Sequence, residues 1–155
     1  MNIDYMKLAL QIAYDNVKNK KGGPFGAVIV KNGKIIGKGT NLVTTTNDPS
    51  AHAEITAIRN ACQHLEDYQL KDCDIYTSCE PCPMCLGAIY WARPKAVYYY
   101  NTRKEAAEIG FDDQYIYDQL ALAINKRSLH MKKIECKTKL LPFELWKNTT
   151  DKIEY

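Results

Sequence analysis

Apolar positions at Ile3, Met6, Leu8, Leu10, Ile12, Ala13 and Val17 trace roughly one helical face over residues 3–19. Gly22-Gly23-Pro24 then breaks the pattern. Phe25 to Val30 is an unbroken apolar run suited to a buried strand, and Lys31-Asn32-Gly33-Lys34 is a two-residue hairpin turn. A second strand is expected from Ile35 to about Leu42, followed by a polar loop from Thr44 to Ser50 that turns at Asp48-Pro49. From Ala51 the period becomes helical through Ile55, Ile58, Ala61, Cys62 and Leu65. Cys73 to Thr77 reads as a short strand, Cys82 to about Trp91 as a helix closed by Arg93-Pro94, and Lys95 to Tyr100 as another strand. Residues 102–125 look mostly helical, split by Gly110. A short strand near Lys133 to Cys136 and a last helix from Pro142 to about Asn148 complete the pattern.

Strands alternating with helices after an opening hairpin predict an α/β fold, a three-layer α/β/α sandwich around a mixed central sheet. A chain of 155 residues suits a single domain spanning residues 1–155, and no repeat, linker or low-complexity tract interrupts it. Composition agrees with a soluble globular class, at 46% hydrophobic and 25% charged residues. A net charge of +3 falls well short of the strongly basic balance of a dedicated nucleic-acid binder. The basic residues Lys126-Arg127, Lys132-Lys133, Lys137 and Lys139 read as a solvated face. No apolar run approaches the roughly 20 residues of a membrane span. Met1-Asn2-Ile3-Asp4-Tyr5 opens no basic-then-apolar leader, so the expected location is cytoplasmic, without a membrane partner. In that setting six cysteines containing a Cys-x-x-Cys point to metal or redox chemistry rather than a disulfide framework. Cys62, Cys73, Cys79 and Cys136 are expected to be small buried or half-buried thiols.

The chemistry lies in His52-Ala53-Glu54 and Pro81-Cys82-Pro83-Met84-Cys85. His52, Cys82 and Cys85 offer three ligands and no fourth His or Cys is suitably spaced, which fits a catalytic zinc with one open position. Cys82 and Cys85 fall nearly on one face at the start of a helix, whose N-terminal partial charge favours thiolates. Pro83 costs little there, because its missing N–H would have no partner in a first turn. His52 and Glu54 would diverge by about 200° on a regular helix, so both face one site only if the chain enters its helix between them. The loop ending in Asp48-Pro49-Ser50 puts such an entry there. Glu54, not itself a ligand, would carry protons as general base and then general acid. Either half alone has bland readings, a redox pair or half a zinc ribbon for the cysteines. Together, in this order, they form the arrangement used by zinc-dependent nucleobase deaminases.

Longer stretches carry a resemblance. Gly22-Gly23-Pro24-Phe25-Gly26-Ala27-Val28-Ile29-Val30, Asn47-Asp48-Pro49-Ser50-Ala51-His52-Ala53-Glu54 and Thr77-Ser78-Cys79-Glu80-Pro81-Cys82-Pro83-Met84-Cys85-Leu86-Gly87-Ala88 resemble the cytidine deaminase-like superfamily. Tyr90-Trp91-Ala92-Arg93-Pro94, Gly110-Phe111-Asp112-Asp113 and the final Glu154-Tyr155 make the chain similar, within it, to the small bacterial guanine deaminases. The resemblance implies one zinc per subunit and hydrolysis of guanine to xanthine and ammonia. It implies that Asp113 binds and protonates the purine, that Asn41 contacts it and that Phe25 stacks near it. It further implies that Trp91 belongs to the pocket or an interface, and in the mechanism expected for this reaction the Ala53 N–H helps hold the ring carbonyl. It also implies a homodimer in which a C-terminal segment, about residues 140–155, is exchanged and Tyr155 closes the partner's site. Read without it, Asp112-Asp113 is a helix cap ahead of Gln114 to Leu120, a role the resemblance leaves to Asp112. A second acid makes chemical sense, since guanine offers N–H donors at N1 and at the 2-amine that a carboxylate accepts. The competing readings are a tRNA adenosine deaminase, a deaminase of guanosine or an aminotriazine such as ammeline, and a zinc-binding domain without catalysis. The last would lack Glu54.

Overall fold

Asn2 opens the first helix, its side chain accepting from the Asp4 N–H at 2.9 Å, and α1 runs Ile3–Lys18 with Met6, Ala9 and Ala13 buried. In the computed structural model, which describes Met1–Tyr155, β1 (Gly26–Lys31) and β2 (Lys34–Thr40) pair antiparallel. Asn32 and Gly33 join them at φ of 50° and 75°, the paired left-handed conformation that a tight hairpin demands. β3 (Cys73–Cys79) runs antiparallel to β1 and parallel to β4 (Ala96–Asn101), giving the order β2-β1-β3-β4. Parallel neighbours need a crossover, and α4 (Pro83–Ala92) supplies it. The sheet is therefore mixed, as predicted.

The apolar run in β1 is continuous because both of its faces are covered. Ala27 and Ile29 join Ala57, Ile75 and Ile89 in a core beneath α3 (Ala53–Leu65) and α4. Val28 and Val30 join Met6, Ala9 and Tyr76 beneath α1. Helices on both faces of one sheet make the predicted three layers. Gly39 lets α3 lie close to β2, since a Cβ there would strike the Ala53 carbonyl and the Ala57 amide. The helix end that carries His52 and Glu54 is seated by that contact.

Two local expectations fail. The predicted loop after the second strand contains a short helix, α2 (Val43–Thr46). Thr46 closes it by donating from both its amide and its hydroxyl to the Leu42 carbonyl, at 2.9 and 2.8 Å, and Asn47 ends it at φ 51°. The predicted strand near Lys133 to Cys136 is absent, because those residues meet no strand to pair with.

Met1–Ile116 and Tyr117–Tyr155 form two compact units. In the first, α5 (Arg103–Glu108) starts with a capping box between Thr102 and Glu105. The chain passes from one unit to the other within α6 (Gln114–Ala121). The second unit adds a 3-10 turn at Ile124–Lys126 and α7 (Pro142–Asn148). Ser128 N–H donates to Gln119 Oε1 at 2.7 Å and Arg127 Nε to the Leu122 carbonyl at 3.2 Å. No residue from 117 to 155 is buried. No helix is long and apolar enough to cross a membrane.

Candidate active site

His52 is the residue before α3 and Cys82 the residue before α4, both extended, with ψ of 161° and 167°. Being outside the regular helix frees each side chain to swing toward the other. His52 Nδ1 lies 3.5 Å from Cys82 Sγ and 3.5 Å from Cys85 Sγ. A tetrahedral zinc with Zn–S near 2.3 Å and Zn–N near 2.0–2.1 Å would hold such an S···N pair about 3.6 Å apart. The spacing fits the metal. Charge fits it too, because a hydrogen bond from Cys85 pulls the Cys82 thiol down to about 4 despite burial, with His52 adding to the effect. Sharing that proton with Cys82, together with burial, drives the Cys85 thiol far upward. The Cys82 hydrogen bond likewise raises His52. These groups hold one another's protons, and a dication is the species that replaces them.

Glu54 sits in the first turn of α3 at 5% exposure, and His52 immediately outside it, which is how residues two apart reach one site. Burial pushes the Glu54 carboxyl up. Thr77 Oγ1 donates to its Oε1 at 2.8 Å, while its Oε2 faces Cys85 Sγ at 3.4 Å. Beside these groups opens a cavity of about 800 Å³ whose lining includes Phe25, Asn41, His52, Glu54, Cys82 and Asp113. Phe111 crosses Phe25 edge to face, with centroids 4.9 Å apart at 90°. Partial burial first, then the Cys82 charge, raises the Asp113 carboxyl. The neighbouring Asp112 also lines the cavity and accepts from the Gln114 N–H at 2.9 Å.

Residues 1–101 match the model of the cytidine and deoxycytidylate deaminase zinc-binding region. The chain belongs to that deaminase family. It is 54% identical to the guanine deaminase of Bacillus subtilis (strain 168) over 151 residues, 97% of each chain. The crystal structure of a Bacillus subtilis guanine deaminase superposes with a TM-score of 0.96, covering 100% of this chain and 99% of that one. A tRNA-specific adenosine deaminase of Buchnera aphidicola subsp. Schizaphis graminum is 36% identical, over 83% of this chain and 82% of its own. A guanine deaminase structure from Nitrosomonas europaea matches at TM-score 0.67 and 33% identity, over 70% of this chain and 63% of that one.

In this zinc-binding deaminase His52, Cys82 and Cys85 are the candidate ligands. Ala53 is buried at the first position of α3. Trp91 is 64% exposed on α4 and does not line the cavity, and Tyr155 is 69% exposed in the second unit. Cys73 and Cys79 are buried and Cys62 is half-buried, burial pushing Cys79 up to about 11. Cys136 departs from expectation and is exposed, because the strand that would have covered it does not form.

Three supports of the site went unread in the sequence. Asn16, buried on α1, donates from Nδ2 to the Gly23 carbonyl at 2.8 Å and to the Asn41 carbonyl at 2.9 Å. Asn41 Oδ1 in turn accepts from the Gly23 and Val43 amides, both at 3.4 Å, directing its amide nitrogen away from them. Glu80 donates its N–H to the Asn101 carbonyl at 2.8 Å and accepts from the Arg103 N–H at 3.1 Å, tying the zinc loop to α5. Thr77 is the third. An amide on the buried face of a helix was the signal available for Asn16, whereas β3 also carries Asp74 and Ser78, so the Thr77 hydroxyl does not stand out.

Proposed function

We propose that this deaminase hydrolyses guanine to xanthine and ammonia. The observation that carries the substrate is similarity to guanine deaminase over 97% of both chains, with 54% identity against 36% for the tRNA-specific relative. Charge supports a small substrate, since +3 supplies a thin electrostatic footprint for RNA.

When bound, zinc supplies a water acidic enough to act as nucleophile near neutral pH. Glu54 would accept one proton of the attacking water and pass it to a ring nitrogen, then carry the other, from the hydroxyl added at C2, to the 2-amino group as its C–N bond breaks and ammonia leaves. Phe25 and Phe111 hold the ring plane. Asp113 accepts the purine's N–H donors, and the Asn41 amide donates to a ring acceptor. The Ala53 N–H, in a first turn with no intrahelical acceptor, holds the ring carbonyl.

The functional unit on this reading is one zinc-dependent deaminase domain spanning residues 1–155 and working as a homodimer. The second unit leaves Leu140, Phe143, Leu145 and Trp146 exposed, and α4 leaves Tyr90 and Trp91 exposed. A second copy that takes up the segment from about residue 140 covers such side chains, and brings Tyr155 to the partner's site.

The test is ammonia release from guanine, guanosine, adenine, cytidine and tRNA by zinc-loaded protein. Guanine should be turned over, with activity lost to a chelator and restored by zinc. Activity on tRNA with none on guanine would overturn the substrate.

A further inference from the structure

We infer that Thr77 is a positioning residue for the proton carrier Glu54, fixing one carboxylate oxygen so that the other serves the reacting atoms. The inference rests on Glu54 acting as proposed. Thr77 is fully buried on β3, on the same sheet face as Cys73 and Ile75, against which α3 packs. Its hydroxyl donates to Glu54 Oε1 at 2.8 Å across that apolar layer. The strand beneath it is held from both sides, Thr77 standing opposite Ala27 of β1 and Tyr99 of β4. A β-branched side chain on a strand so placed has little χ1 freedom, so the donor is rigid.

What this does follows from the carboxylate. Glu54 reaches its site from a helix end on a flexible side chain, and a buried carboxylate with two equivalent oxygens could turn either toward the zinc ligands. Anchoring Oε1 makes the oxygens unequal and leaves Oε2, 3.4 Å from Cys85 Sγ, on the side of the metal donors. Proton transfer needs its carrier within hydrogen-bond reach of the proton in a defined orientation, which is the property a fixed donor confers. A valine at 77 would keep the branched shape and remove that donor, so the buried carboxylate would lose one of its hydrogen bonds.

The experiment compares Thr77→Val, Thr77→Ser and wild type by steady-state kinetics, zinc content and infrared spectroscopy of the metal-free protein. Glu54→Gln identifies the Glu54 carboxyl band. In Thr77→Val, kcat should fall about 10–100-fold, a part of the 10²–10⁴ that general acid–base catalysis supplies, with KM changed by less than about twofold. Zinc content should hold, and the Glu54 band should shift. Thr77→Ser should recover kcat to within about threefold of wild type and return the band. If valine does not fold, Thr77→Cys, a weak donor of similar size, should give an intermediate kcat. A valine or cysteine variant with wild-type kcat, a loss shared by KM or zinc, or a serine variant that fails to recover would each overturn the role. Wild type silent on guanine would sink the proposed function instead. The infrared arm stands apart from turnover, and an unmoved band overturns the contact itself.

Discussion

Phe25 and Phe111 meet edge to face, 4.9 Å between centroids, in the wall of the cavity that His52 and Cys82 also line. The Phe25 carbonyl accepts from the Asn41 N–H at 3.2 Å, and the Phe25 side chain packs against the core under α3. Phe25 stands at the entry to β1 and Phe111 just beyond α5. Gly23 is fitted between them, since a Cβ there would lie 3.2 Å from Phe111 and 3.3 Å from Phe25. The edge-to-face contact lets Phe111 hold Phe25 in place in the cavity wall. Such aromatic pairs contribute about 0.5–1.5 kcal/mol beyond buried area.

Phe111→Ala should therefore raise KM for guanine about 3–10-fold while changing kcat much less, since each tenfold corresponds to about 1.4 kcal/mol. Steady-state kinetics on guanine read both constants. A fall in kcat at constant KM would place Phe111 in the chemical step rather than in binding.

The ligands were legible in the sequence because zinc chemistry restricts residue type, and because both His52 and Cys82 stand where a helix begins, a position that turn residues and proline mark. The sheet was legible from β1, whose apolar run requires two covered faces. Its last expected strand was not, since Lys133 to Cys136 has strand-like side chains and pairing depends on a neighbour that no local pattern reveals. Asn16, Glu80 and Thr77 escaped for a related reason. Asn16 bonds the Gly23 and Asn41 carbonyls, Glu80 bonds the Asn101 carbonyl and the Arg103 N–H, and Thr77 bonds the Glu54 carboxylate, and no local pattern names those partners. Thr46 hid α2 in the same way, its hydroxyl supplying an end that propensity does not foresee.

Asp113 gives the site a readable pH dependence. Partial burial and the Cys82 charge raise its carboxyl above the ordinary aspartate value of about 3.9. Only the ionised form accepts the purine's N–H donors without giving up an acceptor oxygen, so binding weakens as pH falls through the raised value. kcat/KM should drop on the acid side with a midpoint above 3.9, and Asp113→Asn should lose about 100-fold at neutral pH while altering that limb. The profile of kcat/KM against pH measures it. An Asp113→Asn variant that keeps the wild-type limb would remove Asp113 from the binding step and leave the limb to Glu54.

Whether Tyr155 acts in its own chain or in a second copy is decided by mixing two defective proteins. A Glu54→Ala chain keeps its tail and lacks the proton carrier, and a chain ending at Glu154 keeps Glu54 and lacks the tail. Each alone should be impaired, the first silent. If the tail serves the partner, co-refolding equal amounts creates sites that combine Glu54 of one chain with Tyr155 of the other. Half of the dimers are then mixed and each holds one complete site, so activity should recover to about a quarter of wild type above the truncated protein's own background. If the tail serves its own chain, no mixed site is complete, and the mixture should show only the sum of its parts. Sedimentation of the mixture confirms that dimers formed. A dimeric mixture without recovery would therefore refute the exchanged tail while leaving the zinc site and Glu54 untouched, because those residues come from Met1–Ile116 alone.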